Sequence, residues 1–413
     1  MTWRLIPFLC FIYFIAYLDR VNVGFAALTM NQDLGLSATA FGRGAGIFFV
    51  GYFFFEVPSN FMLSRFGARV WIARIMLTWG VISMCMAFVQ GPMSFYVMRF
   101  LLGVAEAGFF PGMVYYLTCW FPHRVRAAIL GIFIIANPAS TVIGAPLSTQ
   151  LLNTSLFGLT GWQTMFVVEG IPAVLLGFVV LKVLCDAPGK APWLSARERD
   201  VLAATIARDE SSAQHTSWRA GLTTPVVWQF ALLYTALMLA VYGFGFWAPQ
   251  IIRELGHLSN NEVGWLLVIP YAAATVAMVA WGRHSDRTRE RRWHFAIPGM
   301  LGAIGFLYGG FADNVYVSIA AFSLGAIGIY STLPIFWTLL TGILGGSAAA
   351  AGIALINSIG NLAGYFGPFL IGWLRDTTQG YTAALVLIAA SLAFAALLGF
   401  VLSRPRTVEI ARV

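Results

Sequence analysis

Long apolar runs alternate with short polar breaks along the whole chain. The runs are continuous. Hydrophobic residues do not fall on every second position, so the pattern predicts buried helices rather than the strands of a barrel. About 20 apolar residues in helical form cross a bilayer. The breaks leave twelve segments of that order: 5–30, 39–63, 70–90, 94–121, 126–152, 162–184, 224–252, 260–282, 293–312, 315–341, 349–374 and 380–403. The one long hydrophilic connection, Ala187 to Gly221, separates six segments from six. Within it, LSARERD reads as a short amphipathic helix capped by Ser195. The expected organisation is an N-terminal six-helix bundle over 1–186, a cytoplasmic loop over 187–222 and a C-terminal six-helix bundle over 223–413.

Composition agrees. The chain is 59% hydrophobic and 10% charged, with a mean hydropathy of +0.79. A soluble domain carries about 25% charged residues, so the expected fold class is an all-α membrane protein with twelve transmembrane helices. Arg4 precedes an apolar run too long for a signal peptide, and no small-residue cleavage site ends it. The first run is therefore expected to stay as a span.

The net charge of +8 is explained by where the charges fall. With the N-terminus in the cytoplasm, the inner side receives Arg4, Arg65, Arg69, Arg74, the group from Arg283 to Arg292, Arg219, Arg404, Arg406 and Arg412, among others. The outer loops receive only Arg253 and Arg375. This asymmetry places both termini inside. It also accounts for the basic charge without nucleic acid, which is not an expected partner. Cys10, Cys85, Cys119 and Cys185 read as small packing residues. The five histidines, His215 among them, fall in loops or at span ends, and no Ser–His–Asp set shares one depth. No metal, cofactor or enzymatic activity is expected. Nothing in the chain demands more than a monomer.

The two halves repeat. LGLSATAFGRG at Leu34 aligns with LGHLSNNEVGWL at Leu255, so that Ser37 meets Ser259 and Gly42 meets Gly264. In the same register Arg65 meets Arg287 and Pro146 meets Pro368. Two six-span halves are thus expected to be parallel repeats about an axis along the membrane normal.

At this point the chain resembles the major facilitator superfamily, which implies that superfamily's fold. GRHSDRTRERR, from Gly282, resembles its loop motif between the second and third spans of a half. The first copy departs from it, with Asn60 and Ser64 in place of glycine and aspartate. Asp286, Arg287 and Arg65 are the gating residues this implies, with Asp286 facing the N-terminal end of a neighbouring helix across the cytoplasmic seam. YLDRVNVGFAA, GYFFFEVPSN, RFGARVWIAR and RFLLGVAEAGFFPGMVYYLTCWFP together resemble the anion:cation symporter family, nearest to bacterial tartrate-, sugar-acid- and phthalate-type carriers. The resemblance implies a transporter of the bacterial inner membrane that takes an organic anion together with protons.

Buried charge points the same way. A charge at the centre of a span costs about 2.5–3.5 kcal/mol on insertion scales, so it faces a partner or a water-filled cavity. Arg20 lies about 22 Å along the first span. Arg99 and Glu106, seven residues apart in the fourth, share a face. Two arginines in one cavity form a trap for a carboxylate. Asp19 and Glu106 are the matching acids for the driving proton. The resemblance further implies that Tyr17, Tyr52, Asn137, Trp337 and Asn357 contact the anion's carboxylates or hydroxyls. Glu56 and Glu169 are expected to brace or gate. An antiporter of the same superfamily is the alternative. The fifth span, however, keeps only Gly144 and Pro146 of the exporters' glycine-rich motif, in shifted form.

Overall fold

Each predicted apolar run forms helix. A computed structural model describes residues 2–211, 224–343 and 347–403. The first half comprises α1 Thr2–Asp33, α2 Ala38–Phe66, α3 Ala68–Cys85, α4 Pro92–Glu106, α5 Phe109–Trp120, α6 His123–Leu152 and α7 Gly161–Val183. After α8 Ala196–Ser211, the second half comprises α9 Pro225–Gly256, α10 Asn260–Thr288, α11 Arg292–Gly309, α12 Val315–Ile343, α13 Ser347–Thr378 and α14 Thr382–Leu402. Arg219, His215, Arg404, Arg406 and Arg412 lie outside the described residues.

Among the described residues, eleven spans are long and apolar enough to cross a membrane. The expected ninth span is α11, which packs against α12 and α14 like its neighbours but opens on Arg292, Trp293 and His294. Its 18 residues reach about 27 Å, and the polar first turn lowers its mean hydropathy. The fourth span departs from the continuous helix expected over 94–121. It breaks into α4 and α5 at Ala107 and Gly108. Gly108 has φ +83°, and a Cβ there would lie 2.4 Å from Ser59 Oγ. Both the turn and the contact require glycine. The helix thus stops directly after Glu106.

The short helix expected within the hydrophilic connection also forms, as α8. Ser195 accepts from the Glu198 amide at 3.3 Å, and Glu198 Oε2 accepts from the Ser195 amide at 2.8 Å. This closed capping box holds the exposed Glu198 carboxyl below its ordinary range, the Ser195 amide contributing most.

The repeat has a direct structural meaning. Ser37 and Ser259 each cap the helix that follows, α2 and α10. Those helices then carry the contacts between the halves. α2 lies on α13, where a Cβ on Gly42 would sit 2.2 Å from the Pro368 carbonyl. α10 lies on α6, where a Cβ on Gly264 would sit 2.0 Å from Thr149 Oγ1 and 2.9 Å from the Ala145 carbonyl. The repeat register carries Gly42 onto Gly264 and Pro146 onto Pro368, so the halves meet at two repeat-related close approaches, offset by one residue. α1 against α9 completes the seam.

Polar ties gather at the end of the molecule that carries the 33–38 turn. This is the outer end in the orientation expected from the basic residues. Asp376 of α13 accepts from the amides of Ala38 (3.1 Å) and Thr39 (2.7 Å) and from Thr39 Oγ1 (2.6 Å). Its carboxylate thus sits on the positive end of α2. The equivalent place across the repeat is filled by Asn153, which bonds the side chains of Asn260 (3.2 Å) and Asn261 (2.9 Å) at the start of α10. Asn31 bonds Gln250 at 3.3 Å, and Arg253 donates to the Leu28 carbonyl.

Asp376→Ala removes three bonds to one carboxylate, each charge-assisted bond being worth about 1.5–3 kcal/mol. The expected result is an end that opens more often. A cysteine placed at Asn31, in a background without the four native cysteines, should react with a water-soluble maleimide at least tenfold faster. Asp376→Asn should give a smaller increase.

Candidate functional site

A cavity of about 80 Å³ lies between the halves. α1 supplies Tyr13, Tyr17 and Arg20, spaced four and then three residues apart and so on one face of the helix. α2 adds Tyr52 and α6 adds Asn137. The second half contributes Tyr234 and Tyr242 from α9, Trp337 from α12, and Asn357 and Asn361 from α13. Six of the seven residues expected to bind the anion therefore meet here: Arg20, Tyr17, Tyr52, Asn137, Trp337 and Asn357.

Arg20 is the one charged residue among those that line the cavity. Its guanidinium stands over the rings of Phe48 (5.5 Å) and Tyr52 (5.6 Å) and pairs with the buried Glu106 at the end of α4. Its Nε has no partner. Arg20 thus reaches from the cavity to a carboxylate in the wall behind it. Tyr242 bonds Asn361 at 3.2 Å, and its hydroxyl also meets Arg20.

Asp19 takes a different position from the one expected. Successive helical residues point about 100° apart, so Asp19 and Arg20 cannot face one space. Asp19 turns into the first half. It accepts from Asn22 (2.9 Å), Ser83 (2.6 Å) and Trp79, and is 2% exposed. Three neutral donors satisfy both of its oxygens.

Arg99 also departs from expectation: it does not line the cavity. It is fully buried, donates to the Ala45 carbonyl at 3.1 Å and packs on Phe48 at 5.0 Å, while Nε and Nη1 have no partner. The cause is the seam between α2 and α4. A Cβ on Gly103 would lie 2.0 Å from the Phe48 carbonyl, and one on Gly51 would lie 2.5 Å from the Phe100 carbonyl. Backbones that close leave no channel from Arg99 to the central space. The trap therefore presents one guanidinium in this conformation, not two.

The three gating residues lie at the opposite end from the 33–38 turn. Asp286 pairs with Arg291 at 2.7 Å, within its own half, rather than with a helix end across the seam. The interhelical turn is so short that Arg291 reaches it first. Arg287 and Arg65 are exposed, Arg65 standing over Phe66 at 5.9 Å. Glu56 accepts from Asn357 at 3.5 Å and so touches the other half beside the cavity.

Sequence reasoning missed Tyr13, Tyr234 and Tyr242. Tyr13 carried a usable signal, one turn before Tyr17 on the same face. The other two did not, because α9 is apolar on every side and its cavity face is set by packing alone.

Known proteins resemble this chain along nearly its whole length. The family model of the Major Facilitator Superfamily matches residues 9–259 and 251–412. The chain is 52% identical over 415 residues to a protein of Agrobacterium vitis named "Putative tartrate transporter", covering 99% of this chain and 92% of that one. It is 42% identical to a "Quinolone resistance transporter" of Acinetobacter baumannii, covering 97% and 93%. The crystal structure of a bacterial homologue of the human lysosomal transporter Spinster, inward-facing and unoccupied, superposes with a TM-score of 0.79 at 16% identity, covering 97% of this chain and 96% of that one.

Proposed function

Since this chain belongs to the Major Facilitator Superfamily and is a multi-pass membrane transporter, we propose that it imports a small hydroxylated organic anion, of the tartrate or sugar-acid class, by proton symport. The observation that carries this reading is the lone cavity guanidinium of Arg20, held from behind by Glu106. While Glu106 is ionised, it occupies Arg20. Protonation of Glu106 frees the guanidinium for a carboxylate of the substrate, which it can bind through two hydrogen bonds. Loss of the proton returns Arg20 to Glu106 and weakens the hold on the anion. Asn137, Asn357, Trp337 and the tyrosines offer neutral donors and acceptors suited to hydroxyl groups.

Energetics favour a coupled proton. Bringing one negative charge inward against an inside-negative potential costs about 2.3 kcal/mol per 100 mV. One proton makes a monoanion electroneutral, and a dianion such as tartrate needs two. Access alternates as the 33–38 end, outermost in the bacterial inner membrane with both termini cytoplasmic, closes and opens. The bundles 1–186 and 223–413 move about the loop 187–222. Asp286, Arg287 and Arg65 guard the inner end. The same relatives favour binding over enzymatic chemistry.

The test is Glu106→Gln in proteoliposomes with tartrate and a panel of sugar acids. Uptake driven by an acid exterior should vanish, while exchange of labelled for unlabelled substrate persists. Accumulation at the wild-type level in this variant would remove Glu106 from the coupling.

The quinolone-resistance relative supports a second reading, export of an aromatic carboxylate. Efflux of a quinolone from loaded vesicles, without uptake of any small hydroxy acid, would favour export.

A further inference from the structure

The membrane interior of the first half holds four buried carboxyl groups, Asp19, Glu56, Glu106 and Glu169. Among the described residues, Arg20 and Arg99 are the arginines set against them. Glu106 pairs with Arg20, and Arg99 shares the same interior with Glu106 and Asp19. Asp19 has both oxygens satisfied. Glu169 has no such support. It is 3% exposed where α1, α6 and α7 meet. One oxygen accepts from Ser148 of α6 at 2.6 Å, and the other has no partner. The groups that face it are Ser148 from α6 and Asn22 and Asp19 from α1. None of them is a cation. Asn22, 1% exposed, lies against both Asp19 and Glu169. An orphan hydroxyl costs far less here than an orphan charge.

Depth gives the arrangement a direction. Asp19 and Glu106 each lie about 21 Å along their helices from the 33–38 end, and Glu169 only about 12 Å. Glu169 is therefore the buried carboxyl nearest the side from which the driving proton would enter.

Building on the symport reading, we propose that Glu169 is a further proton-holding group, loaded from the 33–38 end and sharing one proton with Asp19. In the transfer, the O–H bond on Glu169 breaks as one forms on Asp19. Glu169 becomes the anion and Asp19 the acid, with the total charge of the pair unchanged. Movement of the Asn22 side chain opens the way between them.

Glu169→Gln keeps the acceptor for Ser148 and removes the exchangeable proton. Infrared spectra of the purified protein at neutral pH should show a protonated-carboxyl band in wild type that is reduced in this variant; an unchanged band overturns the proposal. This arm stands whether or not the protein is a symporter. In proteoliposomes, uptake driven by an acid exterior should fall at least fivefold and lose its wild-type pH profile, while counterflow exchange stays within twofold. Uptake with unaltered rate and pH profile overturns the transport role of Glu169. Wild-type uptake that ignores the pH gradient would instead count against symport itself, and against that role with it. Glu169→Ala, which also orphans Ser148, should lose more thermal stability than Glu169→Gln while showing the same reduced band.

Discussion

Arg20→Ala is expected to abolish transport of the organic anion and to lower the stability of the protein. Both effects come from one guanidinium. On the cavity side, Arg20 is the charge a carboxylate would meet, and the other lining groups are neutral. Loss of a charge-assisted bidentate partner removes about 3 kcal/mol or more, at least a hundredfold in affinity. On the wall side, the change leaves Glu106 buried without its partner. Breaking a buried pair in this way costs about 3–5 kcal/mol unless the carboxyl takes up a proton. The double variant Arg20→Gln with Glu106→Gln should recover most of the thermal stability and none of the transport. Arg20→Lys should recover little transport, because an ammonium is a point charge without the planar fork. Substrate-induced thermal shift and vesicle uptake measure the two effects separately. An Arg20→Ala protein that still takes up labelled substrate at the wild-type rate would mean that the cavity does not bind the anion through Arg20.

Gly42→Leu should stop the transport cycle with little damage to either half alone. A side chain at Gly42 would have its Cβ 2.2 Å from the Pro368 carbonyl of the opposite half. The obstacle is backbone, so it cannot rotate away. The only relief is separation of α2 from α13, which holds the 33–38 end open. Vesicle uptake should drop at least a hundredfold while binding from that side persists. Gly264→Leu should act alike, because Gly264 fills the equivalent place against Ala145 and Thr149. Gly282→Ala is the control: a Cβ there meets nothing within 4 Å, and alanine is the better helix former. Normal uptake by Gly42→Leu would show that the contact between α2 and α13 does not have to separate and re-form.

Helix positions were legible because crossing an apolar medium demands about twenty apolar residues whatever the packing. Even α11, with its polar first turn, kept enough apolar length to be seen. The interruption after Glu106 was less legible. GVAEAGFFPG carries several glycines, and only contact with Ser59 makes Gly108 the one that turns. The candidate site was legible in part. Tyr17 and Arg20 share a helical face by spacing alone, and the same rule turns Asp19 away from the cavity. No rule of spacing could place Arg99, whose face is closed off by the approach of α2 to α4.

By itself, the sequence determined the helical membrane architecture, the two-fold repeat and the presence of charge at mid-depth. These follow from local hydropathy and from self-similarity, which need no knowledge of neighbours. Tertiary structure alone decided which charges share a space. It joined Arg20 to Glu106, walled off Arg99, gave Asp19 its three donors and left Glu169 with one. Apart from Asn22, which shares α1 with Asp19, the partners come from other helices. A helix fixes the angle at which a side chain leaves its axis, but packing decides what that side chain meets.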